Sequence, residues 1–426
     1  MKILIKQARI TDPQSALNGQ ILDILTENGI IRKIAPSIQE KADQIISIPG
    51  VFVSPGWTDI FANFGDPGYE FKETLETGAA AAAAGGFTDV VVIPNTSPVA
   101  DQKSTIEYII GKSRLLKVNI HPAGAVTRKT EGKDLAEMYD MYKSGASVFT
   151  DGTHCIQSAG LLVKALQYVK PFGGLIMQVP EDHSINPHGL MHEGVISTQL
   201  GLPGKPAMAE ELMVARDIEL TFYADSRIHI TGVSTARSLE LIRQGKEKGT
   251  GISCSVTPYH LYFCDEDLEQ YNSNLKVNPP LRTKEDRSAL KAAILSGIID
   301  CIATHHMPHE YDSKVKEFEY AQPGMIGLET AFGVLNTAVP GINPEKWVEL
   351  LSINPRRIIG LDTVEIAEGK KASLTLFDPA ETWTVTATDL YSKSSNTPFL
   401  GATLTGKVKG IINGDQFVLN SPGQPS

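Results

Sequence analysis

The residues best suited to chemistry in this chain are ten histidines and a scatter of carboxylates. His305, His306 and His309 fall together in IATHHMPHE (302–310), and Asp151 and His154 share FTDGTHC (149–155). Imidazole nitrogens and carboxylate oxygens bind a catalytic divalent metal when about three converge around a position left open to water. Asp151, His305 and Asn63 form the one set with a chance of meeting at a common point. It is a weak set, because an amide oxygen is a poor zinc donor. His183, His188 and His192 lie in the polar loop EDHSINPHGLMHEG (181–194), where Pro187 and Gly189 favour solvent exposure over a helical ligand pair. His229 and His260 sit in or beside strand-like runs and read as satisfied core or loop residues. Ser158 and Ser234 have no adjacent histidine-and-acid pattern for a nucleophilic triad. The glycines of GTGISCS lack the lysine and spacing of a phosphate loop.

Such residues need elements to position them. The first fifty residues read as short strands with an Asn28-Gly29 turn, and the last fifty repeat that texture with a turn at Asn413-Gly414-Asp415. Alternating apolar residues around Asn-Gly turns indicate hairpins of an antiparallel sheet. Between them, strand-like runs alternate with amphipathic stretches. These runs are the one at Trp57, TDVVVIP, VNIHPAGAV, ASVFT, GGLIMQVP, RIHITGV, GISCSVTP and IIDCIATHH. An alanine-rich helix over about 74–84 ends at Gly85-Gly86, and TARSLELIRQGKEKG makes another that stops at Gly249. Eight βα units predict an α/β fold with a TIM-type (β/α)8 barrel over 53–364. A small β-sandwich-like domain is then expected from both chain ends, 1–52 and 365–426.

In such a barrel, chemistry belongs to residues just past each strand. Those are Phe61, Asn63, Asn95, Asp151, Val179, Gly232, Asn278 and His305. Phe61 and Asn63 end the run PGWTDIFANFGDPG, and phenylalanine has no lone pair to offer a cation. Composition excludes other classes. The chain of 426 residues has 42% hydrophobic and 21% charged residues and a formal charge of −10. That balance argues against a nucleic-acid partner. No apolar run approaches the roughly 20 residues a membrane span requires. Four cysteines without a C-x-x-C pair suit a reducing cytoplasm, with Cys254 and Cys301 as core thiols.

Several long passages carry a family resemblance: ETLETGAAAAAAGGFTDVVVIPNTSPV, HITGVSTARSLELIR, VNPPLRTKEDRSAL, IATHHMPHE and SKSSNTPFLG. With them the chain resembles the dihydroorotases of the amidohydrolase superfamily, of the class that partners aspartate carbamoyltransferase. The resemblance implies zinc, which lowers the pKa of water from 15.7 to about 7, and a catalytic aspartate that shuttles a proton. It implies a His-x-His pair, a central acid, two further histidines and an eighth-strand aspartate. In this sequence those roles fall on Phe61 and Asn63, Asp151 (with Gly152 at the following family aspartate), Val179, Gly232 and His305. Of the six, Asp151 alone is of the required type. The substrate-clamping arginine falls on Gly65, whereas Asn95, Asn278, His309, Pro323 and Gly324 keep the family's type.

The expectation is therefore a degenerate dihydroorotase with no catalytic residues and no cofactor. It would act as a structural partner of aspartate carbamoyltransferase, or assemble with itself as a homo-oligomer, and Phe61, Val179 and Gly232 would fill space vacated by metal and imidazole. The alternative is an active zinc hydrolase of dihydroorotate using a rearranged site around Asp151, His305 and His306. A third reading keeps Asn95, Asn278 and His309 as a cradle for a small dihydropyrimidine.

Overall fold

A computed structural model describes residues 1–420. Eighteen strands are present among them: β1 (Lys2–Ile10), β2 (Ile21–Glu27), β3 (Ile30–Ala35), β4 (Gln44–Ile46), β5 (Phe52–Pro55), β6 (Trp57–Ala62), β7 (Phe87–Val92), β8 (Asn119–Pro122), β9 (Val148–Phe149), β10 (Leu175–Gln178), β11 (Met191–His192), β12 (Gly204–Lys205), β13 (Arg227–Ile230), β14 (Gly251–Val256), β15 (Cys301–Ile302), β16 (Ser373–Thr384), β17 (Thr403–Asn413) and β18 (Gln416–Leu419).

Eight of these close a parallel barrel in the order β6–β7–β8–β9–β10–β13–β14–β15. Single bridges complete the ring, Gly124 with Phe149 between β8 and β9 and Ala62 with His306 between β15 and β6. Strands such as TDVVV are apolar and buried on both faces, as parallel strands sheathed by helices must be. The helix Leu75–Ala84 starts at Thr74, whose hydroxyl accepts from the Thr77 N–H in a capping box. Its alanines let it lie close against the barrel. A Cβ at Gly85, just past its end, would meet the Leu328 carbonyl oxygen at 2.2 Å.

The two chain ends contribute one hydrogen-bonded sheet, ordered β18–β17–β16–β5–β1–β2–β3 with β4 on β1. The Asn28-Gly29 turn forms with both residues at positive φ, joining β2 to β3 as a hairpin. The sheet is not wholly antiparallel as expected, because β1 pairs in parallel with β4 and β5. The chain crosses into the barrel at Gly56. There Trp57 packs against Phe87, Phe332 and Phe377, with ring centroids 5.1–6.2 Å apart, which ties barrel to sheet. All four cysteines are free and buried. Among the described residues, no helix is long and apolar enough to cross a membrane.

Candidate functional site

The side chains named from the sequence do converge on the C-terminal mouth of the barrel. Phe61, at the end of β6, is fully buried and stacks on the His305 ring with centroids 4.2 Å apart. Val179, just past β10, joins Phe61, Met177 and Ala303 in one apolar cluster. Burying a phenylalanine contributes roughly 1.5–3 kcal/mol, so this packing is a stabilising replacement for polar groups. Phe61 and Val179 thus put carbon at the mouth.

His305 itself is committed. Ser255 donates to Thr231 at 2.9 Å, which sets the direction of a buried chain. The Ser253 hydroxyl gives its proton to His229 Nδ1, and His229 Nε2–H donates to Ser255. The Thr231 hydroxyl pairs with His305 Nε2 at 2.8 Å. Burial holds both histidines neutral, each pushed down to about 3. Nε2 of His305 is already paired with Thr231.

Asp151 is not the surviving ligand that its position suggested. Its Oδ1 accepts from the backbone N–H groups of Val126 and Thr127 at 3.0 and 2.9 Å, and its Oδ2 accepts from the Thr127 hydroxyl. The carboxylate fastens the segment after β8, and burial raises its pKa to about 6. Asp151 and His305, the weak alternative pair, each already hold partners of their own. Asn63 is similarly occupied, accepting the Gly65 N–H at 2.9 Å and donating to Met307 Sδ at 3.3 Å.

The two glycines record how the space was refilled. A Cβ at Gly152 would lie 1.6 Å from Asn95 Oδ1, because Asn95 leans into that space and accepts from Thr153 N at 3.3 Å. A Cβ at Gly232 would meet His305 Cε1 at 2.7 Å. Both glycines have positive φ, +65° and +73°, which disfavours any side chain there.

The zinc that the family resemblance implies needs about three free donors and one open position. The residues present do not fit it. Phe61 and Val179 offer carbon, Gly152 and Gly232 offer no side chain, and Asn63, Asp151 and His305 already hold backbone or hydroxyl partners. Among the described residues, no three His, Cys, Asp or Glu side chains are disposed to hold a metal ion.

The polar groups around the mouth are better kept. His306 accepts the Gly327 N–H on Nδ1 and points Nε2 at Glu73 from 3.4 Å, both side chains fully buried. His309 donates to the Pro323 carbonyl and accepts from Lys72, with burial and Lys72 pushing its pKa down to about 4. Pro323, Gly324, Asn278 and His305 line a cavity of about 210 Å³ beside Phe61. At Gly65, where the clamping arginine would stand, a Cβ would press to 3.1 Å from Tyr69.

Two features escaped the sequence reading. His192, expected in solvent, is buried with Nδ1 facing Arg282 at 3.4 Å, and burial plus that guanidinium push it down to about 4. It is drawn in by the two-rung ribbon of β11 and β12, which is pinned by Arg282 donating to the Lys205 carbonyl. The ribbon also delivers Lys205 to Glu181. Asn278 spans this ion pair, donating to Glu181 at 2.7 Å and accepting from Lys205 at 3.2 Å. Nothing in the loop sequence marks Lys205, although Glu181 follows Val179 in a passage that resembles the family.

Comparison with known proteins agrees with this architecture. The dihydro-orotase-like family profile matches residues 50–238, and the amidohydrolase family profile matches residues 189–418. The chain is 39% identical to a dihydroorotase of Syntrophus aciditrophicus (strain SB) and 41% identical to one of Sulfurihydrogenibium sp. (strain YO3AOP1). In each case the match spans 96% of this chain and 97% of the relative. An L-hydantoinase (dihydropyrimidinase) from Arthrobacter aurescens shares the fold with a TM-score of 0.85 at 23% identity, over 98% of this chain and 96% of that one. With identity of this order along nearly the whole length, the chain belongs to the dihydroorotase family of amidohydrolases.

Proposed function

We propose that this chain is a non-catalytic member of the dihydroorotase family that serves pyrimidine biosynthesis as a structural or regulatory partner of aspartate carbamoyltransferase. The observation that carries the reading is the ring of His305, stacked on Phe61, lodged in the space beside Gly232 and hydrogen-bonded through Nε2 to Thr231. Each of those contacts removes something a zinc-activated water would need. The carbamoyltransferase role extends the family resemblance.

The test is metal content of protein purified without added zinc or chelator, alongside a ring-opening assay on dihydroorotate. Zinc well below one ion per chain and no enzymatic turnover are expected. Co-purification from native extract, followed by carbamoyltransferase assays with and without this chain, tests the partner role. A transferase that assembles and works equally well alone would end it.

A second reading, an active dihydroorotase that opens dihydroorotate to N-carbamoyl-L-aspartate, is favoured by the names of relatives about 40% identical over the full length. It requires zinc on donors other than those described. Stoichiometric zinc together with turnover would establish it in place of the first.

A further inference from the structure

The barrel mouth contains more open space than the abandoned metal positions. The cavity of about 210 Å³ beside Phe61 adjoins an outer one of about 460 Å³, and the two meet at Thr153, Asn278 and Pro323. Their walls differ. The inner chamber is bounded by Phe61, Val179, Tyr259 and Met307. The outer chamber exposes the Glu181–Lys205 pair, whose side chains are each about one-seventh accessible.

That pair has unused capacity on the cavity side. Lys205 Nζ carries three protons and gives two, one to Glu181 and one to Asn278 Oδ1. Glu181 accepts one bond on each oxygen, from Lys205 and from Asn278, and a carboxylate has about four acceptor positions. The amide of Asn278 bridges the two, giving one N–H to Glu181 and accepting one Lys205 proton on its oxygen. A spare ammonium proton and spare carboxylate lone pairs therefore stand side by side at the entrance to an apolar chamber. Lys276 also lines the outer chamber. It is bonded to the carbonyls of Phe318 and Glu319 and, among the described residues, to no carboxylate, which adds positive charge at that end.

We propose that this double chamber binds a free α-amino acid with an apolar side chain. The ligand ammonium takes the spare lone pairs of Glu181, its carboxylate takes Lys205 and the field of Lys276, and its side chain enters the space between Phe61 and Val179. A ligand carrying both charges meets both members of the pair, whereas a plain carboxylate leaves the spare lone pairs of Glu181 unused. The apolar chamber exists because carbon replaced metal ligands, so the ligand class differs from the anionic ring for which the family scaffold is built. The proposal does not depend on the partner role and holds for the chain alone.

The experiment is titration calorimetry of the full-length protein with L-leucine and L-phenylalanine, compared with N-acetyl-L-leucine, L-leucinamide, glycine and dihydroorotate. Leucine or phenylalanine is expected to bind, with at least a tenfold loss on blocking either charged end or removing the side chain. E181Q should weaken binding by about 10- to 100-fold, the range for losing a charge-assisted hydrogen bond. The double variant E181Q/K205M, which removes both charges together and leaves neither unpaired, should abolish it while far-ultraviolet circular dichroism stays unchanged. No heat with any amino acid, equal affinity for N-acetyl-L-leucine, preference for dihydroorotate, or undiminished binding by a folded double variant would each overturn the proposal.

Discussion

The metal-facing positions at the barrel mouth and the ring of buried polar pairs just outside them have fared differently. At the mouth, Phe61, Val179, Gly152 and Gly232 stand where the family resemblance puts donors, and Asn95 and His305 occupy the space beside the two glycines. One shell further out, Glu210 still accepts from Ser234 N and Thr235 N and faces Arg282, while Glu73 still faces His306. The physics explains the asymmetry. A ligand exchanged for a well-packed apolar group leaves no buried charge behind, whereas deleting half of a buried ion pair does. A polar donor can therefore be exchanged for packing when it is replaced or re-bonded, and half of a buried ion pair cannot.

The largest expected effect tests the frame. Glu210→Ala leaves Nη2 of Arg282, two backbone N–H groups and the Ser234 hydroxyl without their acceptor, all buried. Destabilisation of about 3–5 kcal/mol is expected from denaturant unfolding. A loss below 1 kcal/mol would mean the outer ring is as dispensable as the mouth, and the contrast would collapse.

Next in size is a step back toward a metal ligand. Gly232→His places its Cβ against the His305 ring and forces a side chain onto positive φ, so about 1–3 kcal/mol of destabilisation is expected, with no zinc uptake. Combining it with His305→Asp removes the obstructing ring and should recover part of that loss. If the single variant is as stable as the parent, His305 is not the plug it is described to be.

Much of this was legible from residue types. Phenylalanine at 61 and valine at 179 signal a filled space wherever the backbone puts them, and the barrel follows from eight apolar runs at βα spacing. Asp151 misled because sequence shows a carboxylate but not its direction. Only the fold reveals that Val126 and Thr127 claim both of its oxygens. His192 was misplaced because its burial depends on a ribbon of two residues on each side, too short to register as strands. The chain from Ser253 to His305 did leave a trace. Polar residues alternate at 229 and 231 and at 253 and 255, so each pair shares one strand face, here the one turned into the barrel.

That chain gives the third expectation. The pKa of His305 falls to about 3 from an ordinary 6.5 because burial penalises the imidazolium. Below pH 6.5 the unfolded chain takes a proton that the folded chain refuses, so folding loses stability as pH falls toward 3. His305→Asn suits the positive φ at this position and removes the titrating ring. Relative to that variant, the parent should lose about 1.4 kcal/mol per pH unit across this window. Parallel pH profiles for the two proteins would mean that His305 is protonated in the folded state and free to titrate.

The smallest effect sharpens the comparison at its edge, because Asn63 is the mouth residue whose side chain could still donate an oxygen. In the structure that oxygen accepts the Gly65 N–H and the amide nitrogen reaches Met307, which makes Asn63 a turn-holding group on a half-buried loop. Removing one such hydrogen bond costs about 0.5–1.5 kcal/mol. Asn63→Ala should therefore lower stability by about 1 kcal/mol or less in denaturant titration, with zinc content unchanged from the parent. A metal-bound Asn63 would behave differently: the parent would carry zinc, the variant would lose it, and the stability difference would grow with added metal, since an ion that binds only the folded state stabilises it by mass action. Unfolding both proteins with and without excess zinc distinguishes a residue that holds a turn from one that holds an ion.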